Sequence, residues 1–319
     1  MSDSASVTDP NPLPDVNVTA QAPTQKSTEP YAVRRLNFTF QLEAGHVFKG
    51  TGSDTMTLTG LRATAHVENA NLPTTGTGVF RIWGINLNDM NSLSAAGRVW
   101  QMNSKNKILV QAGDDVSGMS TVFSGNIVEA WPDFSRQPDT NFFVSASPAF
   151  LPQLKPVPPN SFTGGTSVAT ALQQIIKPVG LTLENNGVNT ILASPYFAGS
   201  TWDQVNAAVR AANCFGFIDG VNNKLAIWPK TGSRSGSPGV ISPENGMIGY
   251  PSFQANQVVV RTLFDPNISV NGATGKQITI KSQLTAANGK FTVSAATHDL
   301  ASQMENGPWE TTIVCTPFS

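Results

Sequence analysis

Across residues 35–42 the apolar side chains of Leu36, Phe38, Phe40 and Leu42 occupy every second position. A period of two marks a strand with one buried face. Comparable runs cover 57–67, 78–85 (Val79, Arg81 and Trp83 on one face), 107–112, 120–131 and 140–146. They predict a strand-rich block from about Leu36 to Ser147. Within it one short helix is expected, capped by Asn86 or Asn88, with Met90 and Leu93 at i, i+3 and Gly97 as its stop. A second block is expected between Gln257 and Phe318, from strands at 257–264, 276–284, 290–298 and 309–316. Val258 and Val260, Ile278 and Ile280, and Phe291 and Val293 alternate there, and Asn288-Gly289 predicts a tight hairpin turn. Strands this short, separated by turns, suit small barrels.

Between the blocks the period changes. Thr166 or Ser167 caps a helix whose Val168, Leu172, Ile175 and Val179 follow a 3.6-residue repeat. Leu181 to Leu183 reads as a strand. A second helix is expected from Thr201, with Gln204 completing a capping box, and Trp202, Val205, Val209 and Ala212 as its buried stripe. Cys214–Asp219 and Lys224–Trp228 predict a hairpin, and the Gly/Ser/Pro-rich stretch from Thr231 to Gly239 a linker. The fold class is therefore mainly β with a smaller α+β part: two tube-like antiparallel β-barrels flanking a small α+β module. The expected divisions are an extended N-terminal arm (1–30), a first barrel (31–150), the module (151–238) and a second barrel (239–319).

Proline placement supports these divisions. Five prolines lie in residues 1–30 and five more between Pro148 and Pro159, out of 22. The arm has few large apolar groups beyond Leu13, Val16 and Val18, so by itself it should be extended. A neighbouring subunit is the expected support. Leu13, Val16, Val18 and Tyr31, with Met90 and Leu93 of the short helix, are the candidate subunit-interface residues.

Composition turns the picture from catalysis toward assembly. Charged residues are 13% of the chain, about half the usual ~25%. Neutral polar groups cost less to desolvate than charges, so such a surface suits interfaces. With 20 basic and 21 acidic residues the net charge is −1, and Arg34-Arg35 and Lys105 with Lys107 are the densest cations. That gives little for sequence-independent binding of phosphates. The two cysteines, Cys214 and Cys315, read as small buried residues in a reducing compartment. The sequence predicts neither a leader peptide nor a membrane span.

No residue set predicts an enzyme, a metal or a cofactor. His46, His66 and His298 fall on separate strands or their ends, without ligand spacing. His298 and Asp299 are adjacent on a strand, so they should face opposite sides. The loop Gly113 to Gly118 lacks the closing Glu of a calcium loop and reads as a charged turn. Gly164-Gly165-Thr166-Ser167 lacks a phosphate-loop lysine and reads as a helix cap. Six tryptophans are spread over all the segments. They are expected to anchor cores or interfaces, with a glycan-gripping platform as the alternative.

An ordered set of strings carries a family resemblance. It comprises Gly60 to Asn69 (GLRATAHVEN), Phe80 to Ile85 (FRIWGI), the helix Asn88 to Leu93, Phe123 to Trp131 (FSGNIVEAW) with Pro138-Asp139, Val259 to Asn267, and Thr297 to Leu300 with Gly307-Pro308-Trp309. In this set the chain resembles baseplate hub proteins of contractile-tailed bacteriophages; the proline-rich arm departs from the family core. The resemblance implies a virion protein of the tail baseplate, assembled in the host cytoplasm. It implies a homotrimeric ring between the tail tube, or a tube-initiator protein, and a central spike. Two barrels per subunit would let three copies match a sixfold tube. The module would face other baseplate proteins on the outside. The alternative is a carbohydrate- or receptor-binding tail protein.

Overall fold

The alternation at Leu36, Phe38 and Phe40 becomes strand β1 (Arg34–Gln41), all three side chains pointing inward. In the computed structural model of the protein, residues 32–94, 106–116, 118–149, 157–236, 239–265 and 273–317 are described. The first block continues with β2 (Thr55–Leu58), β3 (Ala63–Ala70), β4 (Thr77–Trp83), helix α1 (Leu87–Leu93), β5 (Lys107–Asp114), β6 (Gly118–Asp133) and β7 (Asn141–Ser147). The middle segment comprises β8 (Asn160–Ser161), β9 (Gly165–Ser167), α2 (Val168–Ile176), β10 (Thr182–Asn185), β11 (Ile191–Ala193), β12 (Tyr196–Phe197), α3 (Thr201–Ala211), β13 (Cys214–Asp219) and β14 (Lys224–Pro229). The last comprises β15 (Val240–Ile241), β16 (Met247–Gln254), β17 (Gln257–Leu263), β18 (Gln277–Ile280), β19 (Gly289–Ser302) and β20 (Trp309–Pro317). The described residues are mainly β, with three short α-helices and a large antiparallel sheet.

That sheet runs through both strand-rich blocks in the order β16-β17-β20-β19-β3-β4-β7-β6-β5-β1-β2, and β18 joins it at β19. The joint is the antiparallel β3–β19 ladder, from Ala70 opposite Ala295 to Ala63 opposite Ser302. The first half of β19 instead pairs with β18, from Gly289 to Thr292. A register shift between Val293 and Ala295 separates the two partners. The extra residue, Ser294, donates its hydroxyl to Val314 O and accepts from Asn71 N through its carbonyl. Such a bulge bends a strand and raises its twist, which lets one strand serve two neighbours. Beneath the sheet, one continuous apolar cluster draws side chains from both blocks, from Leu36, Phe38 and Phe80 to Val260, Leu300 and Ile313.

The middle segment has its own core, in which α2 and α3 pack on the sheet β10-β14-β13. Strands β13 and β14 are nearly uninterrupted runs of buried residues. The reason is that their second face is covered too, around Phe217, Ala226 and Trp228. Ser167 caps α2 by accepting from Thr170 N. At α3 the expected box is displaced by one residue: Ser200 is the cap and Asp203 its reciprocal partner. Gln204 is buried instead, bonded to Asn160, Pro158 O and Gly199 O. The Asn288-Gly289 hairpin is also longer than expected. Asn288 closes the 281–288 connection by bonding Ser282 through both amide atoms, and Gly289 is already paired in β19.

Candidate subunit interface

Strand register brings a particular set of side chains together on the solvent face of the sheet. Arg81 lies opposite Phe143, which lies opposite Trp131. The Arg81 guanidinium sits 5.4 Å from the Phe143 ring centre and 3.6 Å from Asp133. The Trp131 and Phe143 rings are 5.1 Å apart and tilted by 33°. One step away, Arg62 covers the Trp83 ring at 4.6 Å and reaches Asp139 at 3.2 Å. Trp131 is 42% exposed and nearby Phe134 46%. Ser135 holds the Asp133 carboxyl below its usual range by hydrogen bonding, with help from Asn141 and Arg81.

The same face continues across the joint. His66 on β3 meets Asp299 on β19 at 2.7 Å, and Arg261 on β17 meets Glu310 on β20 at 2.6 Å. Arg62, His66, Arg81 and Arg261 each have a carboxylate within 4 Å. The face therefore offers aromatic area and planar guanidinium groups with little net field, the side-chain mix enriched at protein interfaces.

Among the expected interface residues, Met90 and Leu93 are buried in the chain's own core, while α1 turns Leu87 outward. The cap of α1 is Asn86, and the helix ends at Leu93. Gly97, Leu13, Val16, Val18 and Tyr31 lie outside the described residues. His298 and Asp299 face opposite sides as expected: His298 bonds Thr311 inside at 2.7 Å. The His66–Asp299 contact was invisible in sequence because its partners are 233 residues apart. Cys214 and Cys315 are buried free thiols whose protonated form burial favours. Among the described residues no group of His, Cys, Asp and Glu could hold a metal ion. Nor is any helix there long and apolar enough to cross a membrane.

The Thr231–Gly239 stretch does more than link. Arg234, only 5% exposed, donates to both carboxylate oxygens of Glu184, at 2.9 and 3.1 Å. It also donates to Thr274 O and lies over Phe217. Its backbone N–H bonds Gly275 O, and Ser235 N bonds Asn186. The module is thus clasped to the segment preceding β18. Arg234→Met should leave the Glu184 carboxylate without its partner. Denaturant titration should show a loss of about 2 kcal/mol, below the range for fully buried pairs because Glu184 is partly solvated. Amide exchange at Asn186 and Ser235 should quicken in that variant.

Comparison with known proteins agrees with this architecture. The fold is similar to the tail protein from Neisseria meningitidis MC58, at 8% identity and TM-score 0.61, covering 88% of this chain and 96% of that one. It is similar to the 43 kDa tail protein of prophage MuSo2 from Shewanella oneidensis, at 7% identity and TM-score 0.56, with 88% and 96% covered. It is also similar to the E. coli c3393 protein, a type VI secretion system component with structural similarity to the T4 tail proteins gp27 and gp5. That match has 10% identity and TM-score 0.55, with 88% and 77% covered. At such identities the likeness speaks for the fold alone. No curated protein sequence matches the chain. A family model described as baseplate hub gp41, however, matches residues 39–311, and the chain belongs to that family.

Proposed function

We propose that the chain is a structural, non-enzymatic hub subunit of a phage tail baseplate, and that three copies form a ring adapting a sixfold tail tube to a threefold central spike. Family membership across residues 39–311 carries the hub role. The adaptor role draws support from two strand-rich blocks in one chain, since three copies would then present six. In this reading residues 31–150 and 239–319 supply the two tube-like shells, 151–238 lies at the periphery against other baseplate proteins, and arm 1–30 reaches a neighbouring subunit. The charge-matched sheet face, with Trp131, Phe134 and Phe143 exposed or half-exposed, supplies contact area that salt screens weakly. The tail tube or its initiator and the spike are the axial partners, and the site of action is the virion.

Light scattering of the purified chain should give three times its 33.8 kDa mass, and negative-stain images should show rings. Copies assembling in a number incompatible with three would overturn the adaptor role. The exposed Trp131–Phe143 pair also favours a second reading, a carbohydrate- or receptor-binding tail protein. A stable monomer that binds polysaccharide through Trp131 and never forms rings would select it.

A further inference from the structure

Five Asn-Gly pairs occur in the sequence, beginning at Asn186, Asn245, Asn271, Asn288 and Asn306. Asn271-Gly272 lies outside the described residues. An Asn followed by Gly is open to one particular covalent change, because a residue without Cβ lets its backbone nitrogen approach the Asn side chain. The glycine nitrogen attacks Asn Cγ and gives up its proton. The side-chain nitrogen leaves as ammonia, and a succinimide ring closes. Water then opens either ring carbonyl, giving aspartate or its main-chain isomer, isoaspartate. The sum is an amide plus water giving an acid plus ammonia, with no oxidant or reductant. The reaction needs an amide free to rotate, an Asn backbone free to swing and a glycine N–H that solvent can reach.

The fold treats the four described pairs differently. Asn186 is half-buried, donates to the Glu184 carboxylate at 3.1 Å and accepts from Ser235 N at 3.0 Å. Asn288 is exposed, yet both ends of its amide are held: it accepts from Ser282 N at 2.6 Å and donates to Ser282 O at 3.0 Å. Gly289 is paired with Ile280 in the sheet. Asn245, also exposed, donates to Val240 O at 3.2 Å, and the carbonyl of Gly246 accepts from Leu263 N and Thr262 Oγ1. Asn306 has none of these restraints. It is exposed in the β19–β20 connection, and its amide makes no hydrogen bond with any described residue. The Gly307 N–H bonds Met304 O at 3.3 Å, past the usual length. The same connection holds Gln303 at φ +53° and Asn306 at φ +54°, a conformation that costs free energy in any residue with a Cβ. Leaving it releases strain, so this turn opens with little resistance.

We propose that Asn306 is a modification site that deamidates spontaneously in the folded chain, to aspartate and isoaspartate, while Asn186 and Asn288 keep their amides and Asn245 falls between. Exposure does not make the distinction, since Asn288 is as open to solvent as Asn306. The hydrogen bonds on the amide and on the glycine make it. The change sets a new carboxylate beside Glu305. In the isoaspartyl form it also adds a methylene to the main chain just ahead of Trp309, whose ring packs edge-on against Phe264 at 5.4 Å and lies under the Arg34 guanidinium at 5.7 Å. The proposal goes beyond the hub reading and does not depend on it.

The test incubates the intact chain at mildly alkaline pH, digests it, and follows each Asn-Gly peptide by mass spectrometry after chromatography that separates the aspartyl and isoaspartyl forms. The same chain held in denaturant supplies the intrinsic rate of each pair. In the folded chain Asn306 should stay within about threefold of its denatured rate, while Asn186 and Asn288 slow by at least about tenfold because they must first open locally. Asn306→Gln, whose longer side chain closes a ring far more slowly, should remove the first acidic species seen on isoelectric focusing of the folded protein. An Asn306 that keeps its amide in the folded chain while converting in denaturant would overturn the proposal. So would any other described pair converting as fast as Asn306 in the folded chain, or an unchanged acidic species in Asn306→Gln.

Discussion

Phe80→Ala is expected to destabilise the chain by about 4 kcal/mol, the range for deleting a buried phenylalanine ring. Phe80 is fully buried between Phe38 and Phe123, with ring centres at 5.8 and 5.4 Å in edge-to-face geometry. The site cannot collapse easily onto the hole. Gly78 already leaves so little room that a Cβ there would come within 2.5 Å of the Phe80 ring, and the surrounding strands are held in register on both sides by β3 and β7. Denaturant titration should show a lower midpoint at unchanged slope. Because one apolar cluster underlies both strand-rich blocks, Trp83 in the first and Trp309 in the last should report the same transition. Two separated transitions would mean that the blocks unfold independently despite their common core.

Acidification should reveal His298. Its imidazole is fully buried, bonded to Thr311 and edge-on to Phe264 at 5.1 Å. Burial alone pushes its pKa from 6.5 down to about 3. Between those values the unfolded chain takes up a proton that the folded chain refuses, so stability falls as pH drops through that window. The full interval corresponds to about 5 kcal/mol, and the stretch from pH 6.5 to about 5 to roughly 2 kcal/mol. Carboxylates act later. Glu184, held at about 2 chiefly by its hydrogen bonds from Arg234, contributes stability above its unfolded value of about 4.5, lost as pH falls from there toward 2. His298→Gln should therefore flatten the profile between pH 6.5 and 5 and make the fall from there to about 3 shallower, leaving the part contributed by Glu184. An identical slope in both proteins above pH 5 would assign the acid sensitivity to another group.

Local periodicity revealed much of this architecture. The β13–β14 hairpin appears almost where its pattern places it, because both strands are short, apolar and bounded by a turn that Asp219 caps through Val221 N and Asn222 N. The 57–67 run resolves into two strands, β2 and β3, because Gly60, at φ +68°, turns the chain between them. Strand β16 was missed since its residues are mostly exposed and carry no clean alternation. The i, i+3 pair Met90 and Leu93 announced a buried helix face without saying against what, and the chain's own core took it. Arg234 was hidden by its Gly/Ser/Pro surroundings. The outward row from Arg261 to Trp131 depends on pairing between distant segments, which no window of residues encodes. Trp131 and Phe143 were individually legible as strand residues, but their stacking needed the register of β6 on β7.

The β3–β19 joint has a consequence for synthesis. The ribosome releases β3 more than two hundred residues before its partner on β19. At about 5–20 residues per second, that delay is roughly ten to fifty seconds. Throughout it, one flank of the nascent first block shows bare backbone amides and carbonyls to every other strand in the cell. The polar outward residues Thr64, His66 and Glu68 on that flank are well suited to keep it unattached until β19 has been made.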